Sequence, residues 1–229
     1  MFSVIFEVHP KPDQSDTYLD YAKMLRPELE QIEGFVDNIR YRSLTRGGWI
    51  LSVSGWRDEK ALVRWRTKAK HHDAQEKGRD SVLLDYHLRV GQITQDTRVP
   101  QGQVLREQRL DETEIGSGTT VILIDAKRPP EWVKAATNPK QVAEGLGFKP
   151  DTVCPVSWDV FDAVLTPGEV MLLATWRDQT VAEAFESGFA LQQGMRLRRV
   201  RVIRDYGMFD RREAPQYYPD AVRDESASR

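Results

Sequence analysis

The chain has 229 residues, room for one large domain or two small ones. Its 33 Lys and Arg nearly balance 35 Asp and Glu, and a formal charge of −2 leaves no electrostatic footprint for nucleic acid. Cys154 is the lone cysteine, so no internal disulfide exists, and no apolar run reaches the ~20 residues that span a bilayer; the expectation is a soluble cytoplasmic protein with no membrane partner.

From Met1 the chain enters strand-like sequence without a basic region or small-residue cleavage site, so this start does not read as a signal peptide. Phe2, Val4, Phe6 and Val8 alternate with Ser3, Ile5 and Glu7, the period of a strand. His9-Pro10-Lys11-Pro12 breaks it. Asp16 can cap a helix whose apolar face is Tyr18, Tyr21, Ala22, Leu25, Leu29 and Ile32; Pro27 is expected to kink or split it, and Gly34 to end it. Residues 35–44 and 49–56 read as strands around a Gly47-Gly48 turn. Asp58 then caps a helix running to Lys77-Gly78, with Ala61, Leu62, Trp65, Ala69 and His72 on one continuous face. Residues 83–93 form a fourth strand, so the order is β-α-β-β-α-β, the ferredoxin-like split unit.

Residues 94–118 are polar and read as a linker, although 104–110 can order against a neighbour. Then the pattern recurs. Residues 120–126 read as a strand, a helical segment is expected around Trp132 to Ala136, and Gly145-Leu146-Gly147-Phe148 echoes Gly34-Phe35. Residues 156–165, 170–175 and 198–206 read as three further strands. Trp176-Arg177-Asp178 repeats Trp56-Arg57-Asp58, and Phe185 follows Trp65 at the same spacing of 120 residues. The expected fold is α+β, with two ferredoxin-like βαββαβ repeats packed sheet to sheet to close a barrel. The expected organisation is a first repeat at 1–93, a linker at 94–118, a second, diverged repeat at 119–206 and a tail at 207–229 containing Tyr217-Tyr218-Pro219.

Gly55-Trp56-Arg57-Asp58-Glu59-Lys60-Ala61, Trp65-Arg66, His71, Gln75-Glu76-Lys77-Gly78-Arg79, Tyr86 and Arg89-Val90 together resemble the antibiotic biosynthesis monooxygenase domain. The likeness covers 2–93 well and 119–206 weakly. It implies a dimeric α/β barrel, here built from both halves of one chain, and oxygen chemistry without a protein-bound flavin. One branch of that family oxidises quinol-like substrates with no cofactor; another, the IsdG-like enzymes, degrades heme held between sheet and helices. For the heme branch the resemblance makes Trp65 the helix tryptophan and His71 or His72 the iron ligand. Near the position of that branch's first-strand asparagine stand Glu7 and Val8 instead.

Helical spacing favours His72, which shares a face with Trp65, whereas the family spacing favours His71. Helix-end histidines also serve as plain caps, and Trp65 can be core. Glu7 is a candidate acid or base if burial raises its pKa, or else a solvated edge residue. Asn38 and Arg40 share one face of the second strand and could hold oxygen or a propionate. His87 is a possible supporting group and His9 a loop residue. All four histidines fall in the first repeat, while Phe185 and Gln192-Gln193 occupy the matching zone of the second, so only the first half is expected to be active. The leading expectation is a monooxygenase acting on heme, with a tetrapyrrole or small aromatic ligand and dioxygen as partners. The alternatives are cofactor-independent oxidation of a phenolic or quinol substrate, or a non-catalytic binding barrel. Pairing of tandem chains into a homodimer is a further possibility.

Overall fold

The computed structural model describes residues 1–128, 138–219 and 221. The first half contributes β1 (Phe2–Pro10), α1 (Ser15–Glu30), β2 (Phe35–Ser43), β3 (Ile50–Trp56), α2 (Glu59–Arg66), α3 (Ala69–Lys77) and β4 (Leu83–Asp96). A single π-helical turn, Gly78–Val82, joins α3 to β4. The second half adds β5 (Thr120–Lys127), α4 (Pro139–Gly145), α5 (Pro150–Val153), β6 (Ser157–Ala163), β7 (Glu169–Trp176), α6 (Gln179–Gly188) and β8 (Arg196–Gly207). The helical segment expected around Trp132 to Ala136 lies outside the described residues.

All eight strands form one closed antiparallel barrel in the order β1-β3-β2-β6-β7-β5-β8-β4. Two seams join the halves: a short one where β2 meets β6, and a long one where β4 meets β8. Gly91 lies on the long seam, where a Cβ would collide with the β8 backbone, so glycine permits the close approach. Strand alternation sends Ile5, Leu51, Val53, Leu123, Phe161, Leu173 and Val202 inward, and they pack into a solid interior. Residues between β4 and β5 cross one end of it: Gln92 accepts from the backbone of Gln108 and Arg109, and Leu105 packs on the inner cluster.

The repeated tripeptide builds the same corner twice. Asp58 accepts from Ala61 N at 2.8 Å and Asp178 from Val181 N at 3.0 Å, each satisfying an orphan donor of a helix start. Arg57 and Arg177 each brace the adjacent carboxylate at 2.9 Å. Ahead of the first corner, Gly34 takes φ +90° and its carbonyl accepts from Arg57 N, closing the turn out of α1.

Two helix expectations change. Asp16 is not the cap of α1; Gln14 holds that position, and the helix runs unbroken through Pro27. Proline there removes one N–H near the exposed C-terminal end, which the remaining turns tolerate. The long helix expected from Asp58 to Lys77 is two helices. Thr67 turns its hydroxyl back onto the carbonyls of Val63 and Arg64, and Lys68 adopts φ −64°, ψ 131°, an extended conformation that ends α2. The break resets the helical phase of everything after it.

Candidate active site

A cavity of about 220 Å³ lies between the outer face of the first-half sheet and α1, α2 and α3. Its floor is set by register. One row across the strands reads Arg40, Ser52, Phe6, Leu88, Tyr206, and the next reads Asn38, Ser54, Val4, Val90, Arg204. Each row is apolar at its centre and polar or cationic at its ends. The last residue of each comes from β8, so the second half completes the first half's floor. Ala22, Leu25, Leu62, Trp65 and His71 form much of the roof.

The broken helix decides which histidine reaches the cavity. Because α3 restarts after Lys68, His71 lies on the Trp65 indole, 4.3 Å between ring centres and 20° between planes. Its Nδ1 is 3.2 Å from the Trp65 carbonyl. A carbonyl only accepts, so Nδ1 carries the proton and Nε2 keeps its lone pair. Burial pushes the imidazole down to about 4, partly opposed by that hydrogen bond, so the ring is neutral at pH 7. His72, favoured by an unbroken helix, is exposed and stacks on Tyr218 instead.

Asn38 and Arg40 line the cavity, as their shared strand face requires. Asn38 gives Nδ2 to Ser52 Oγ at 2.9 Å and to the Val53 carbonyl at 3.1 Å. Both amide hydrogens are thereby used, which leaves only its Oδ1 as an acceptor for other groups. Glu7 is elsewhere. It points to the barrel interior, the opposite side of β1, where it pairs with Arg89 and Arg46. Burial alone would raise its pKa, but Arg89, His87 and Arg46 outweigh that and hold it well below the usual carboxylate range. A general acid needs the reverse shift, so Glu7 is a buried ion-pair residue remote from the cavity. His87 belongs to the same network, 2.5 Å from Asp205.

Sequence reasoning missed the far end of the cavity. Tyr86 on β4 accepts hydrogen bonds from Arg79 at 2.9 Å and from Arg211. The Tyr218 ring lies within 5.1 Å of both guanidinium carbons. Burial pushes the neighbouring Tyr206 hydroxyl up to about 12, with Arg66, Arg211 and Arg204 around it. Among the described residues, no ion pair joins Arg40, Arg66, Arg79, Arg204 or Arg211 to a carboxylate, and the Nε atoms of Arg40 and Arg66 are buried without a partner. The alternation of Arg204 with Tyr206 and the aromatic tail were the available signals; their meeting depends on β8 pairing with β4.

Heme does not fit this geometry in the way the resemblance implied. An imidazole that ligates iron stands on edge above the macrocycle. Trp65 is nearly parallel to His71, so its indole would stand on edge too and could not lie over the ring. The volume also falls below the ~300–1,000 Å³ of sites for drug-sized ligands, which are smaller than heme.

Residues 1–77 match the antibiotic biosynthesis monooxygenase family model. The jasmonate monooxygenase of the fungus Pyricularia oryzae is 49% identical over 228 residues, which cover 96% of this chain and all of that protein. A crystal structure of aldoxime dehydratase matches with a TM-score of 0.51 at 11% identity, covering 88% of this chain and 80% of that one, a likeness of fold alone. Single-length structures also match, such as one from Methanosarcina mazei at 17% identity and TM-score 0.36, over 39% of this chain and 88% of that one. No helix among the described residues is long and apolar enough to cross a membrane. With near-complete coverage at close to half identity, this chain belongs to the antibiotic biosynthesis monooxygenase family, as a tandem form whose two repeats close one barrel, and monooxygenation is the chemistry that kinship supports.

Proposed function

We propose that the first-half cavity oxygenates a small, largely apolar carboxylic acid of the jasmonate type, without heme. The observation that carries this reading is the pairing of an apolar floor with arginines that, among the described residues, form no ion pair to a carboxylate, in a cavity of about 220 Å³. Such a surface suits a short amphiphilic anion, and the Pyricularia oryzae relative is named for one. Val4, Phe6, Leu88 and Val90 hold the apolar body and exclude water.

Trp65 walls the cavity and fixes the orientation of His71. His71 Nε2, neutral and without a protein partner among the described residues, is the group available to take a proton from the substrate. The carbanion or enolate so formed is electron-rich enough to react with dioxygen directly. One oxygen atom is retained and the other leaves as water. The two electrons this requires come from the substrate when it ends at the carbonyl level, and from an external donor when it ends as an alcohol.

The test is to incubate purified protein with jasmonic acid under ¹⁸O₂, with and without ascorbate and with and without hemin, and to analyse products by mass spectrometry. The expected result is a product bearing one ¹⁸O atom, formed without hemin and not increased by it. No oxygenated product, or one that requires a stoichiometric amount of hemin, would overturn the reading.

A further inference from the structure

The cluster at the tail end of the cavity is an unusual arrangement for a structural one. Arg79 Nη1 and Arg211 Nη1 both donate to the same phenol oxygen, that of Tyr86. Two guanidinium groups sharing one neutral acceptor repel each other, and among the described residues neither has a carboxylate to offset that. Their remaining bonds go to backbone carbonyls: Arg79 to Pro219 at 2.9 Å and Arg211 to Gln216 at 2.9 Å. Those bonds orient the forks without cancelling their charge. The Tyr218 ring lies 5.1 Å from both guanidinium carbons, a cation–π contact with each. Both arginines line the same cavity as Phe6 and Leu88.

We infer that Arg79 and Arg211, joined through the Tyr86 hydroxyl, form the subsite that takes the carboxylate of the substrate, so that the enzyme selects free acids over their esters. A carboxylate has two acceptor oxygens and bridges two adjacent guanidinium groups, relieving their repulsion as it gains charge-assisted bonds. An ester brings no charge and leaves the repulsion in place. Discrimination by an unpaired polar group of this kind is large, because the site is penalised when the matching group is missing. The two arginines come from different halves of the chain. Arg79 lies at the start of the π-helical turn after α3, while Arg211 arrives on the segment that follows β8. Selectivity for the acid therefore depends on the C-terminal segment packing across the first repeat.

This inference rests on the proposed substrate class, and two ligand pairs separate the two claims. The full-length protein is titrated with jasmonic acid and its methyl ester, and independently with decanoate and decanol, following intrinsic tryptophan fluorescence. The proteins compared are wild type, Arg211→Gln, Arg211→Lys and Arg79→Gln, each checked for folding by circular dichroism. Wild type is expected to bind each acid at least about tenfold more tightly than its neutral partner. Both glutamine variants should lose roughly ten- to a hundredfold in affinity for the acids, the size of one charged hydrogen-bond partner, and keep affinity for the neutral ligands within about twofold. Arg211→Lys should fall between. Should decanoate discriminate while jasmonate neither binds nor reacts, the subsite stands and the substrate reading fails. Acid preference that is absent in wild type, or unchanged in both glutamine variants, overturns the subsite even if jasmonate is oxygenated.

Discussion

The two helix–sheet layers of this barrel descend from one pattern and have opposite fillings. In the second half, Phe185 lies on Trp176 with ring centres 4.8 Å apart, and Phe148 and Phe189 pack against it in turn. Leu146, Met195 and Leu197 belong to the same packed cluster. In the first half, Trp65 holds the position of Phe185 but turns away from Trp56 and stacks on His71. The space that Phe185 fills in one half is thereby left open in the other. One repeat spends its aromatic side chains on stability; the other uses the same positions to wall a cavity.

The largest expected effects come from emptying the packed layer. Trp176→Ala should cost about 3–5 kcal/mol in urea unfolding, the range for large-to-small changes in a packed core, and Phe185→Ala, at a half-buried position, should cost less. Trp65→Ala should cost clearly less stability, because its indole already borders open space, yet reduce turnover by about a hundredfold through loss of His71 orientation. Equal stability losses in the two halves would erase the distinction. Filling the open layer is the converse: Ala74→Phe should leave stability unchanged or raise it by about 0.5–2 kcal/mol while abolishing ligand-induced fluorescence change.

A further contrast concerns pH, since histidine is present only in the first half. His71 has a folded pKa of about 4 against an ordinary value of 6.5, so between those values the unfolded chain binds the extra proton. Its contribution to stability is complete above pH 6.5 and is lost as the pH falls through that window toward 4. Comparing wild type with His71→Leu isolates this from the carboxylates, Glu7 above all. The wild-type curve should fall more steeply between pH 6.5 and 4, and parallel curves would contradict the buried neutral imidazole. The smallest effect is shared by both halves: Asp58→Ala and Asp178→Ala should each cost about 1 kcal/mol, as matched helix caps.

Most of the fold was legible because its signals are local. Alternation marked the strands, and the Trp-Arg-Asp corner recurs with identical hydrogen bonds in both copies. Alternation puts Asn38 and Arg40 on one face of the second strand, and in the structure both line the same cavity as Trp65. Periodicity alone favours His72 over His71, whereas His71 is the one that lines the cavity, because Thr67 and Lys68 interrupt the helix, and a threonine that bonds back onto its own turn leaves little trace in a hydrophobic pattern. Glu7 is expected as an acid or base, or else a solvated edge residue. Alternation puts it on the face opposite Val4 and Phe6, but its ion pairs to Arg89 on the neighbouring β4 and to Arg46 between β2 and β3 depend on strand pairing, which no spacing along the chain reveals. Arg204 and Tyr206 join the first-half cavity only because β8 pairs with β4 across the long seam, and Arg211 follows on the segment after β8, so sequence proximity gives little sign of their meeting.

The most direct test of the central claim is a crystal structure of the protein with jasmonate bound. The account places the ligand between the first-half sheet and α1–α3, its body over Phe6 and Leu88 beneath Trp65. Ligand density inside the barrel, or against the helices of the second half, would contradict it.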